Sequence, residues 1–194
     1  HSSGKMGYKI AEEAQKRGAE VILITGPTAL EPPKGIEVIK VNTTMEMFNA
    51  VEEQFDNCQV LIKAAAPSDY RPEAFSNVKI KKGEGERDEL NIKLVRNPDI
   101  AAHFGKLKQD QLIIGFAAET NNLLNYAKEK LKKKNFDFIV ANDVSKDGAG
   151  FKTDTNIVTI IDKEGKIIDY PILDKSQVAN IILDKVESLL NTKS

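Results

Sequence analysis

Leu112-Ile113-Ile114-Gly115-Phe116, then Asn121 to Lys134, then Phe136-Asp137-Phe138-Ile139-Val140-Ala141 is the stretch that decides the architecture. Two apolar runs of strand length, 112–116 and 136–141, enclose a segment whose Leu124, Ala127 and Leu131 recur at helical spacing. Strands joined through a helix lie parallel, because a parallel pair needs a long crossover, and the crossover is right-handed. A parallel sheet is covered on both faces, so the units around this one should repeat its pattern.

They do. Upstream, Met6, Ile10, Ala11 and Ala14 set a helix over 6–17 that Gly18 closes, and a strand follows at 21–25. After the break at Gly26-Pro27 come a short strand at 36–41 and a helix over 44–55 capped by Thr43 or Thr44. A buried strand is expected at 60–66 and an alternating one at 90–95. Asn97-Pro98-Asp99 reads as a helix start with Pro98 at the first helical position, running to about Leu107. Downstream, 156–162 and 166–170 hinge at Glu164-Gly165 as a late hairpin, and an amphipathic helix over 178–190 ends the pattern. The expected fold is α/β: a doubly wound, Rossmann-like, mostly parallel sheet with helices on both faces. A polar stretch over about 67–89, with little apolar periodicity, is expected to form a mobile flap.

The 194 residues suit one well-cored domain, expected to span 1–194, and 41% apolar with 29% charged residues is ordinary for a soluble globular chain. A formal net charge of -1 supplies no global positive field, which argues against nucleic-acid or anionic-membrane partners; any anion site must be local. Cys58 is the single cysteine, so no intrachain disulfide framework exists, and no apolar run reaches the ~18 residues of a membrane helix. A reducing, cytoplasmic setting is expected. The opening His1-Ser2-Ser3-Gly4-Lys5-Met6-Gly7 is a small-residue loop with no strand ahead of it, so an upstream strand, in a longer chain, is expected too.

Several segments are candidates for chemistry. Ser2, Ser3 and Gly4 sit at a helix N-terminus, where unpaired N–H groups and the helix dipole favour anions; the same residues would also serve a plain capped helix. Ala64-Ala65-Ala66-Pro67-Ser68-Asp69-Tyr70-Arg71 lies where a strand ends, the edge that holds ligands in open α/β sheets. Small side chains there let a flat ring approach the backbone, and Asp69 can accept hydrogen bonds; tight packing and a turn would use the same residues. Lys79-Ile80-Lys81-Lys82 could carry charge onto phosphates from a closing flap, or be a solvated face. Lys130 and Lys134 fall one turn apart on one flank of their helix, where they could clamp a polyphosphate or merely complement the helix dipole. His103 has no histidine or cysteine cluster near it in sequence, and Cys58 stands in no CxxC, so both read as structural; no metal-ligand set is expected.

Six segments occur in one order: His1 to Gly7, Ala65 to Arg71, Lys79 to Lys82, Asn97-Pro98-Asp99-Ile100, Gly115-Phe116-Ala117-Ala118-Glu119-Thr120 and Ala141-Asn142-Asp143-Val144. In that order the chain resembles the phosphopantothenate–cysteine ligases, particularly the bacterial, CTP-using branch. The resemblance implies an amide bond made between 4'-phosphopantothenate and L-cysteine through a phosphopantothenoyl-cytidylate, with release of pyrophosphate and help from Mg2+, in coenzyme A biosynthesis. It implies that Ala65, Ala66, Asp69, Lys79, Asn97, Pro98, Asp99, Ile100, Phe116, Lys130 and Lys134 bind the nucleotide, with 97–100 and Phe116 as the base pocket and Lys79 as the catalytic flap lysine. Ser2, Ser3, Gly4 and Ala66 would receive the substrate. It further implies a homodimer, an asparagine just ahead of His1, and fusion to or association with a flavin-dependent decarboxylase, with no flavin in this domain. Two rivals stand beside it. A nicotinamide-dependent oxidoreductase would share the fold but lacks its G-x-G-x-x-G here, and a catalytically inert nucleotide-binding module would be told apart by turnover alone.

Overall fold

The computed structural model describes residues 3–76, 78, 91–119, 123–143 and 155–193. Its centre is a five-stranded sheet ordered β3-β6-β7-β8-β9. Strands β3 (Val60–Lys63), β6 (Leu112–Glu119) and β7 (Phe138–Asp143) run parallel. Strands β8 (Thr155–Asp162) and β9 (Ile167–Asp174) add an antiparallel hairpin on β7. The hairpin turns through Gly165 at φ 87°, a left-handed conformation that glycine adopts without penalty, at the predicted hinge. A second, two-stranded parallel sheet joins β1 (Ile22–Thr25) to β2 (Glu37–Lys40).

Alternation along the strands sorts the core into two layers. On one face Ile113, Ala117, Ile139, Ala141 and Ile161 meet α2 (Thr44–Phe55), α3 (Ile100–Leu107) and α4 (Leu123–Lys133), through Phe55, Phe104, Ala127 and Leu131. On the other, Leu112, Ile114, Phe138, Val140, Val158 and Ile160 meet α1 (Lys5–Lys16) and α5 (Lys175–Lys193), through Ile10, Val178, Ile182 and Val186. The expected doubly wound sheet, covered on both faces, is therefore present. None of the described helices is long and apolar enough to cross a membrane.

Local signals account for the boundaries. At the end of α1, Gly18 takes φ 86° and donates to the Gln15 carbonyl at 2.9 Å while Ala19 donates to Ala14 at 3.1 Å, so two orphan carbonyls are satisfied by the left-handed glycine. The Thr43 hydroxyl accepts from the Glu46 N–H at 3.1 Å and Glu46 reaches back to the Asn42 N–H at 2.8 Å, a reciprocal cap that starts α2. One start differs from expectation. Pro98 is not in the first turn of α3: the Asp99 carboxylate accepts the Ala102 N–H at 3.1 Å, so Asp99 is the N-cap and the helix begins at Ile100.

Two further differences lie at the candidate site. β3 stops at Lys63 and is only partly buried, because β6 is its single ladder partner among the described residues. The expected flap opens on a strand: β4 (Tyr70–Pro72) pairs antiparallel with β5 (Leu94–Arg96) in a two-stranded ribbon; residues 77 and 79–90 lie outside the described residues.

Candidate functional site

The carboxyl ends of β3 and β6 point to one edge of the sheet. Leaving β3, the loop 64–69 carries Ala65 and Ala66 exposed. α1 begins against it: a Cβ added at Gly7 would sit 3.5 Å from the Ala64 Cβ. Gly4 caps α1 from the left-handed region, φ 76°, and itself contributes no side-chain cap. The first turn of α1, which Ser3 and Gly4 lead into, therefore packs at Gly7 against the start of the alanine loop. Ser2 lies outside the described residues, as does Lys79.

Asn97 holds the loop in place. Its N–H donates to the Asp69 carbonyl at 2.8 Å and its Nδ2 to the Ser68 carbonyl at 2.8 Å. Its Oδ1 accepts from Arg71 Nη1 at 3.0 Å, and the same guanidinium nitrogen donates to the Arg96 carbonyl at 2.9 Å. The buried Asn97 amide is therefore committed to bracing the start of the ribbon. Asp69 and Asp99 remain exposed, whereas Ile100 is 3% exposed within the α3 core, so its side chain faces away from solvent. Phe116 is half-buried against the α1/α5 layer, and Ile100 belongs to the α3/α4 layer. The two approach the strand ends from opposite faces of the sheet.

Cations gather on the α3/α4 side. Lys130 Nζ donates to the Phe116 carbonyl at 2.8 Å, and Lys134 Nζ lies 3.1 Å from both carboxylate oxygens of Asp99. The two lysines reach the Phe116 carbonyl on β6 and the Asp99 cap of α3 from the same flank, the one their spacing gives them. Burial alone would push the Asp99 carboxyl up, but the Ala102 N–H and the Lys134 ammonium outweigh it and hold it below its ordinary value. Tyr126, Glu129 and Lys133 line a shallow depression between Lys130, Lys134 and Ala117.

Three residues of this edge escaped the sequence reading. Lys63 ends β3, and burial, then the Lys134 and Lys130 charges, bring its ammonium down to about 8. A lysine closing the otherwise apolar run Val60-Leu61-Ile62 was the available signal. Asn142 and Asn156 are 8% and 5% exposed, and the Oδ1 of each is buried with no hydrogen-bond partner among the described residues. Among the described residues Asn156 Nδ2 contacts the weak acceptor Met6 Sδ, at 3.8 Å. Asn142 stands within a quoted motif, but nothing in the sequence distinguishes either amide from a surface one. Among the described residues no group of three or more His, Cys, Asp or Glu is placed to hold a metal.

A mixed, doubly wound α/β sheet with small residues and lysines near the carboxyl ends of its parallel strands presents the kind of edge at which open α/β domains hold ligands. Comparison with known proteins narrows the class. The family model "DNA/pantothenate metabolism flavoprotein C-terminal domain" matches residues 1–190, and the chain belongs to that family. It is 44% identical over 189 residues to the coenzyme A biosynthesis bifunctional protein CoaBC of Bacillus subtilis, a match covering 97% of this chain and 46% of the relative. A cysteine/cysteine sulfinic acid decarboxylase from an unknown prokaryotic organism is 43% identical over 193 residues, 98% of this chain and 53% of the relative. The chain thus spans about half the length of the curated relatives it matches. The crystal structure of the C-terminal domain of a CoaBC bifunctional protein superposes with a TM-score of 0.83 at 43% identity, covering 98% of this chain and 85% of that one.

Proposed function

We propose that this chain is a phosphopantothenate–cysteine ligase that activates its acid with CTP. The observation that carries the reading is the convergence of Lys130 and Lys134 on the carboxyl ends of β3 and β6, beside the open Ala64-Ala65-Ala66 loop and the start of α1 at Gly4. Two anions have to be held together in this reaction. In the first step a carboxylate oxygen of 4'-phosphopantothenate attacks the α-phosphorus of CTP, the bond to the bridging oxygen breaks, and pyrophosphate leaves with the electron pair. In the second the amino nitrogen of L-cysteine attacks the acyl carbon, CMP leaves, and the nitrogen gives up a proton.

The protein's task is orientation and charge neutralisation. Lys130 and Lys134 hold the triphosphate, with Lys134 exchanging Asp99 for phosphate, and the flap lysine Lys79 is the catalytic cation. The backbone of Ala65 and Ala66 borders both substrates, Asp69 accepts from the nucleotide, and Asn97, Pro98, Asp99, Ile100 and Phe116 line its base pocket, Ile100 and Phe116 through backbone and Asn97 by bracing the loop. Ser2, Ser3 and Gly4 receive the substrate anion at the start of α1. Mg2+ enters on the triphosphate; a hard cation carried by substrate phosphates needs few protein ligands. In the cell the reading places the domain in the cytoplasm, as a homodimer, fused to a flavin-dependent decarboxylase. The bifunctional name of the Bacillus subtilis relative supports the fusion.

Removing both clamp lysines is the direct test. Lys130→Ala with Lys134→Ala is expected to weaken CTP binding by at least tenfold, since a hydrogen bond to a charged group contributes about 1.5–3 kcal/mol. Unchanged CTP affinity, measured calorimetrically on the folded double variant, would make the pair a solvated face.

The sheet edges support one structural proposal. Among the described residues β1 pairs only with β2 and β3 only with β6, and β1 leaves Ile22 36% exposed. A strand contributed by residues ahead of His1 would join the two sheets and cover both edges. Extending the protein upstream is expected to raise its melting temperature and to protect amides of 22–25 and 60–63 from hydrogen exchange. Protection in those two strands that does not change on extension would refute the inserted strand.

A further inference from the structure

We propose that Lys63 is a third phosphate-binding cation of this site, joining Lys130 and Lys134 on the anionic chain of the bound nucleotide. This rests on the ligase reading for the identity of the anion, and it goes beyond it in the residue and in its consequence. Three facts of geometry carry it. Lys63 is the last residue of β3, opposite Gly115 of β6, and therefore lies at the ligand-bearing edge. Its side chain shares a strand face with Leu61, which packs in the α3/α4 layer, whereas Val60 and Ile62 turn to the α1/α5 layer. It thus projects to the side from which Lys130 and Lys134 arrive.

The third fact is its isolation. Lys134 has Asp99 at 3.1 Å and Lys130 has the Phe116 carbonyl at 2.8 Å, but no hydrogen bond or ion pair reaches Lys63 among the described residues. The charged groups that act on it are Lys134 just after α4, Lys130 on α4, Asp99 at the cap of α3, and Asp69 in the loop after β3; the two carboxylates raise its pKa less than burial and the two ammoniums lower it. An unpaired ammonium, half-buried and near two others, is poorly accommodated by the protein alone. An anion among the three relieves it.

The consequence is a proton linked to binding. With its ammonium brought down to about 8, Lys63 is mostly neutral at pH 9, and a polyphosphate placed beside it restores the charged form. The sign follows: the folded, unliganded protein has the lowered value and the complex the higher one, so the complex takes up a proton above pH 8 and nucleotide affinity falls as pH rises.

Calorimetric titration of the full-length protein with Mg·CTP at pH 8.5, in buffers of differing ionisation enthalpy, reads that proton directly. The expected result is net uptake of roughly half a proton or more per nucleotide, given a free value near 8. Lys63→Met should abolish the uptake and weaken binding at pH 7 by about tenfold or more, the loss of one charge-assisted contact. Lys63→Arg, charged at every pH used, should bind with no uptake and a flat pH profile. CTP binding with no uptake in the unaltered protein, or uptake that persists in Lys63→Met, overturns the role of Lys63 while leaving the ligase reading intact. Failure of the unaltered protein to bind CTP at any pH overturns both.

Discussion

Asp137→Ala is expected to destabilise the folded protein by about 3–5 kcal/mol, the cost of removing one partner from a buried ion pair. The side chains of Asp137 and Lys108 are 1% and 9% exposed, and they meet at 2.6 Å. The same Asp137 oxygen accepts the Ile113 N–H at 2.7 Å, so one carboxylate serves the end of α3 and the start of β6 together. Without it, Lys108 keeps only the Asn135 carbonyl at 3.3 Å, and a backbone donor in the core is orphaned. Asp137→Asn should lose less, since an amide oxygen still accepts from Ile113. Urea denaturation followed by circular dichroism measures both; a loss below about 1 kcal/mol for the alanine variant would mean that Lys108 escapes to water instead. Because Asp137 precedes β7, at the amino ends of the parallel strands, the folded fraction of the variant should bind CTP normally.

Gly105→Ala should combine a stability loss with a functional one. A Cβ on Gly105 would stand 2.1 Å from the Lys134 carbonyl oxygen and 2.9 Å from its carbon, and a backbone cannot rotate away as a side chain can. Here α3 and the end of α4 touch. Asn135 adopts φ 50° and donates Nδ2 to the Gly105 carbonyl at 2.8 Å, fixing the approach. The added methyl must separate the helices, at about 1–3 kcal/mol for overpacking or somewhat more. The shift also moves Lys134 away from Asp99. Weakened CTP binding in the folded variant is therefore expected, in contrast to Asp137→Ala, and the comparison of the two separates damage to the scaffold from damage to the clamp. A variant that keeps both stability and CTP affinity would show that α4 can slide without cost.

How far the sequence reached depended on the kind of signal. Elements set by periodicity were legible: the strands at 112 and 138, the helix between them and the hairpin through Gly165 all follow from apolar spacing and a single glycine. The late hairpin runs longer than expected, to Asp174, because β9 is an edge strand on which Pro171 needs no ladder partner for a missing N–H. Signals shared by two devices were misread. Pro98 and Asp99 both mark helix starts, and the carboxylate that finds an N–H three residues on prevails over the ring. Short strands such as Tyr70–Pro72 exist through their partner, Leu94–Arg96, and a three-residue run carries no period of its own.

At the site, the lysine pair at the end of α4 was legible because helical spacing fixes which side chains share a flank. Lys63 was not singled out, and the hydrogen bonds of Asn97 were not foreseen, for one reason. Whether a lysine is buried, or an amide already bonded, depends on residues tens of positions away: Lys134 in the first case, Ser68 and Arg71 in the second.

Pyrophosphate release reads the first step of the proposed reaction. The full-length protein is mixed with Mg2+, CTP and 4'-phosphopantothenate, with and without L-cysteine, and the assay is repeated with ATP. The account predicts release that requires phosphopantothenate and favours CTP, limited to about one equivalent per site until cysteine converts it to turnover. Release independent of phosphopantothenate, or CTP bound with no pyrophosphate formed under any of these conditions, would contradict it.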